Sequence, residues 1–179
     1  RPHIPPSERD TMNSILKKAA LAAALATVSL SANAFDADIK VWANVDPTLA
    51  LLKADGTALD SVVNMVHNPV SGLVPWSQQV RIYSNDESKD IEVRVGSTPQ
   101  LLNTDGGGTP VPLTVSLNGR ALTVAAQDFT ASDLFDGAMP GASIPMALRI
   151  AQTNQAPIAK GGTYEGIVTI AMQQKTTSP

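Results

Sequence analysis

The 179-residue chain contains no cysteine. No disulfide can staple the fold, and thiolate nucleophiles and Cys-based metal sites are excluded. Aromatic residues make up only 4%, so any core must be built mainly from Val, Leu and Ile. Long apolar runs are scarce as well: the stretch Ala19 to Leu30 is too short to cross a bilayer as a helix. No internal repeat, heptad or long run of one charge is present. Basic residues are in deficit, 13 against 16 acidic. Setting aside Arg1, Arg9, Lys17, Lys18, Glu8 and Asp10, the chain beyond residue 34 holds 9 basic and 14 acidic residues, a net charge of −5. A nucleic-acid partner is excluded, because it would require a basic stripe.

Chemistry-bearing constellations are equally sparse. His67 has no Asp, Glu or Ser beside it in a triad order, so it reads as a loop or strand-end residue rather than a catalytic base. Asp36, Asp38 and Asp46 suggest calcium at first sight. Strand spacing throws the first two onto a solvent edge, where solvated charge is the better reading. Gly106-Gly107-Gly108 is followed by no Gly-Lys-Ser/Thr and helix, and is not a phosphate loop. Trp42 and Trp76 read as core or subunit-interface packing rather than ligand platforms. No catalytic residue, cofactor or metal is expected, and the chain does not read as an enzyme.

What is present begins with an export signal. Met12 is followed by Lys17 and Lys18, the apolar run to Leu30, and Ala32-Asn33-Ala34. This is a positive n-region, a short h-region and an A-x-A cleavage site, so residues 12–34 are expected to be a signal peptide. Residues 1–11, with Pro2, Pro5 and Pro6, carry no fold signal and read as an upstream extension. The remaining 145 residues, 179 less 34, suit one domain.

Directly after the expected cleavage site comes Phe35 to Pro47, FDADIKVWANVDP. Phe35, Ala37, Ile39, Val41, Ala43 and Val45 share one parity, and every intervening residue through Asp46 is polar except Trp42. Side chains alternate along an extended chain, so the segment predicts a strand with one apolar edge, stopped by Pro47. Thr48–Leu52 is a short apolar run followed by a turn at Asp55-Gly56, and further strands are expected over Ser61–His67 and Pro75–Ser84. Ile91, Val93 and Val95 alternate cleanly with Glu92 and Arg94. Asn103 to Pro110 reads as a loop. Val111 to Leu117, then Asn118-Gly119, then Leu122 and Val124 predict a hairpin with a type I′ turn. Asp128 to Asp136 suggests one helical turn, Ile144 to Ile150 a strand, and Tyr164 to Gln173 the last strand after Gly161-Gly162. About seven strands beyond Phe35–Asp46, with no long helical period, indicate an all-β sandwich. From the residues alone, the N-terminal strand either folds back as an ordinary first strand or reaches into another copy.

Several segments together resemble a known family, the class 5 (alpha) chaperone–usher fimbrial major pilins of the colonisation-factor-antigen and coli-surface-antigen type. The resemblance lies in DIKVWANVDPTLALLKADGTAL, in Ser97-Thr98-Pro99-Gln100-Leu101, in Val111-Pro112-Leu113 to Leu122, and in Gly162-Thr163-Tyr164-Glu165-Gly166-Ile167-Val168-Thr169-Ile170-Ala171-Met172. It spans nearly all of the chain beyond residue 34. Trp42 departs from the family pattern, as does the polar tail Gln173 to Pro179.

The resemblance implies an immunoglobulin-like sandwich that is incomplete and is completed by a donor strand from a neighbouring subunit. Residues 35–47 would be that strand, with Ala37, Ile39, Val41, Ala43 and Val45 entering the groove, and 48–179 the pilin domain. The acceptor groove would include Tyr164, Gly166, Val168, Ile170 and Met172. It further implies a homopolymer reaching the cell surface through the periplasm. The partners would be a periplasmic pilus chaperone, an outer-membrane usher, a minor tip adhesin subunit, and a host-surface receptor read by this subunit or by the tip. The competing readings are a monomeric secreted adhesin or carbohydrate-binding β-sandwich and, disfavoured by the missing constellation, a secreted hydrolase.

Overall fold

A computed structural model describes residues 35–44 and 48–176. The expected extension at 1–11, the signal peptide at 12–34, residues 45–47 with Val45 among them, and the tail end from residue 177 lie outside the described residues. The described residues all belong to one compact unit.

Alternating apolar and polar residues build nearly all of it. The strands are β1 (Phe35–Asn44), β2 (Leu49–Lys53), β3 (Val62–Asn64), β4 (His67–Asn68), β5 (Gly72–Leu73), β6 (Trp76–Ser84) and β7 (Ile91–Val95). They continue as β8 (Gln100–Asn103), β9 (Val111–Leu117), β10 (Arg120–Leu122), β11 (Gln127–Phe129), β12 (Met146–Gln152) and β13 (Gly162–Gln174). One helical turn, α1 (Ala131–Leu134), falls inside the segment expected to hold it. The Ala131 N–H donates to Asp90 Oδ1 at 2.8 Å and the Thr130 hydroxyl donates to Asp133 Oδ2 at 2.6 Å, which ties this turn to the rim of β7.

Hydrogen bonding runs in one curled path, β11-β7-β13-β8-β9-β12-β6-β2, with β1 attached to β13 and β3, and β10 to β9. One layer carries β3, β1, β13, β7 and β11; the other carries β2, β6, β12, β9 and β10. β8 belongs to both, pairing Tyr164↔Asn103 on one side and Leu101↔Val111 on the other. The inward parity of every long strand joins a single core, with Ile39, Val80, Ile82, Ile91, Val115, Leu148, Ile150 and Tyr164 fully buried. The buried positions of β7 alternate strictly, as do those of β9, which is the period-2 signature of a sheet with one face covered.

Among the described residues the strands beyond β1 exceed the expected seven, because β2, β4, β5, β8 and β11 are too short or too uniformly apolar to leave an alternation in the sequence. Val124, expected to continue the hairpin, is exposed beyond the end of β10. Likewise Ile144 precedes β12 rather than opening it. The hairpin turn itself is as expected: Asn118 has φ 50° and Gly119 φ 78°, the two positive values a type I′ turn requires. A Cβ on Gly119 would meet nothing within 4 Å. Gly119→Val should therefore cost only the backbone penalty, about 1–2 kcal/mol. Urea denaturation should register this loss while the slope of the transition stays unchanged.

Candidate functional site: the groove between β13 and β3

β1 has a partner on each side. It runs parallel to β13 over ten residues, from Phe35↔Gly162 to Asn44↔Ala171. On its other edge it is antiparallel to β3, pairing Asp38↔Asn64, Ile39↔Val63 and Lys40↔Val62. The ladder extends past β3, since the Val41 N–H donates to the Ser61 carbonyl and the Met65 N–H donates to the Ala37 carbonyl, both at 3.1 Å. In the single chain the strand thus fills a slot in its own sandwich instead of pointing away from it.

Of the side chains expected to enter a groove, Ala37, Ile39 and Val41 face inward here. Ala37 and Ile39 are buried, and Val41 is half-buried against the core. Ala43 stands in register with Ile170. The opposite wall brings Tyr164, Val168, Ile170 and Met172 to the same face, all buried. Register pairs Ala37 with Tyr164, Ile39 with Gly166 and Val41 with Val168, so the two apolar edges meet residue for residue. The Tyr164 hydroxyl donates to the Lys160 carbonyl at 2.9 Å, which satisfies a polar group at the groove end.

Gly166 has a steric reason. A Cβ there would lie 2.4 Å from the Gln100 carbonyl oxygen and 3.1 Å from Leu101 Cδ2. The close approach comes from β8, across the strand from β1, where the 97–99 segment passes from β7 to β8. Gly166→Ala must push two backbones apart, at a cost of about 1–3 kcal/mol. A lowered thermal midpoint is the expected result; an unchanged midpoint would show that β8 yields freely.

Sequence reasoning missed the second wall. Val63 and Met65 are buried beside Ile39 and Ala37, and Leu101 is buried behind Gly166. Val62–Asn64 is only three residues long, too short to declare a partner; its signal was the Val62-Val63 pair inside a β-rich segment.

The outer face of the same layer is unlike an ordinary wet surface. Val62, Leu102 and Ile167 are roughly half exposed, and Trp42 is 62% exposed. Register lines Val62, Lys40 and Ile167 across β3, β1 and β13, with Leu102 on β8 one pair along, opposite Glu165. A shallow cleft of about 620 Å³ lies over them, its polar members including Asp38, Lys40 and Glu165. Trp76, by contrast, is half-buried against the core. Asp36 and Asp38 sit on β1's outward parity. Among the described residues no group of three or more His, Asp or Glu could hold a metal ion.

The N-terminal strand of this curled all-β sandwich lies beside its C-terminal one. The solved CooA pilin from enterotoxigenic Escherichia coli superposes with a TM-score of 0.62 over 74% of this chain and 91% of that one, at 23% identity. The fold is accordingly the immunoglobulin-like pilin sandwich. Residues 35–173 match the family model of the CS1 type fimbrial major subunit, and the chain belongs to that family. A CFA/I fimbrial subunit of Escherichia coli O78:H11 is 32% identical over 165 residues, covering 87% of this chain and 96% of the relative. A CS1 fimbrial subunit of Escherichia coli is 28% identical over 169 residues, covering 90% and 99%. The chain is a structural subunit of a surface fimbria. The matched region begins at Phe35, the first residue of β1.

Proposed function

We propose that this subunit polymerises head to tail by donor-strand exchange, with β1 of each copy occupying the β13–β3 slot of the next. The observation that carries the reading is the match of the two apolar edges, Ala37, Ile39 and Val41 against Tyr164, Gly166 and Val168, made by a segment at the extreme end of the folded unit. Nothing in the slot depends on β1 belonging to the same chain. Its hydrogen bonds are main-chain bonds and its pockets take alternate side chains, as in strand addition generally. A copy that gives its strand away and receives one from behind makes a contact that does not close on itself, and so grows a filament.

On this reading residues 12–34 direct export to the periplasm. There a chaperone covers the slot until an outer-membrane usher brings in the next copy, and a minor tip subunit ends the fibre. The subunit's work is mechanical, with no catalytic step. The cis seat favours one further feature, a monomer that closes its own slot when no neighbour is at hand. Cells producing the chain without residues 35–44 provide the test. Negative-stain images should show no fibres from the shortened chain and normal ones from the full chain; fibres of ordinary length from the shortened chain would overturn the proposal.

A further inference from the structure

We infer that the outer face around Ile167 of the copy that receives the strand, together with Trp42 of the inserted strand lying on it, forms a second contact between copies, covered in the fibre by the body of the copy that donates the strand. The inference rests on the exchange reading above and adds to it a surface outside the groove.

The tether sets the geometry. β1 ends at Asn44 and β2 begins at Leu49, so four residues lie between the strand that is given away and the first strand of its owner's body. A chain spans at most about 3.3–3.6 Å per residue, which limits the gap to roughly 16–18 Å. A domain of this size has a radius of gyration of about 14–15 Å, so the tether holds the donor's body within about one such radius of the end of β1, beside the recipient's sheet.

Trp42 is two residues from that end and points outward, 62% exposed, on a strand whose other outward residues are polar. An exposed indole on a β-strand gains no stability from the monomer's core, and buried aromatic anchors dominate interface energetics. Ile167, Val62 and Leu102 continue the apolar strip over the recipient's side of the cleft. Lys40, Asp38 and Glu165 around it supply both signs of charge, the polar surround of a wet-rimmed interface. A small sugar ligand would explain the cleft but not Trp42, which is not part of its lining.

The chain offers clean probes, because it has two tryptophans and no cysteine. In a Trp76→Phe background Trp42 is the sole indole. In Ile167→Cys the sole thiol lies on the outer face. Fibres are sheared from cells, and monomers are obtained by dissociating the same fibres. The expected result is a blue shift of Trp42 emission on passing from monomer to fibre, together with maleimide labelling of Ile167→Cys slowed at least tenfold. Fibres in which the emission stays that of an exposed indole and the thiol reacts at the monomer rate overturn the inference and leave strand exchange standing. Protection of the thiol without the emission shift overturns the anchor role of Trp42. Should Trp76→Phe fail to fold, the difference spectrum between the unsubstituted chain and Trp42→Phe reports the same quantity. If residues 35–44 prove dispensable for fibres, the exchange reading falls and takes this contact with it.

Discussion

Ile39→Asp is expected to abolish fibres and to leave the chain poorly folded as a monomer, whereas Lys40→Asp, one residue along, should do neither. Ile39 is fully buried, set between Gly166 on β13 and Val63 on β3. Removing its side chain from the core forfeits roughly 1.5–3 kcal/mol of burial. The carboxylate put in its place has no cation on the inward face of β1, so it must either stay ionised in an apolar slot or take up a proton. The combined loss should reach about 4–5 kcal/mol, the range reserved for buried unpaired charge. Lys40 is exposed on the opposite parity, and an aspartate there meets water. Fibre yield and the urea midpoint measure the two effects separately. Ordinary fibres from Ile39→Asp would mean that the strand enters no groove in the assembled state.

Deleting residues 35–44 is the second large perturbation. It strips one edge of β13 of its whole parallel ladder and leaves β3 without its partner. Tyr164, Val168 and Ile170 lose the strand they stand in register with, and Val63 and Met65 lose Ile39 and Ala37. The edge so exposed is long and borders apolar side chains, the kind that aggregates. The shortened chain should therefore be aggregation-prone or unfolded alone. A synthetic peptide FDADIKVWAN added in trans should restore the near-UV circular dichroism and a cooperative melt whose midpoint rises with peptide concentration, as linkage demands. The same peptide with Asp for Ile should not. A shortened chain that melts at the full-length temperature without peptide would show that β1 contributes nothing to closing the sandwich.

Much of this was legible before any coordinates. The alternation in FDADIKVWANVDP named the strand, with Ala37 and Ile39 on its inward side and Trp42 on its outward one. Strands β6, β7, β9 and β13 announce themselves the same way, since each is long enough for a period of two to repeat. Asn118-Gly119 could be read as a turn because two consecutive positive φ angles are a local demand. Tyr164, Val168, Ile170 and Met172 share one parity of a single strand, and all four are buried.

Other features depend on segments far apart in the chain. Leu101 and Gly166 meet because β8 crosses from one layer to the other, and the two residues are distant in sequence. Val62–Asn64 becomes a wall of the slot through pairing with β1, not through any pattern of its own. The parallel direction of β1 against β13, and its seat between two strands rather than at an edge, belong to the same category. Alternation states which side of a strand is apolar, because that is a property of one segment and its period. It says nothing of the strand's neighbour or direction, because hydrogen bonds between main chains are alike for every sequence and the choice is made by how the whole core packs.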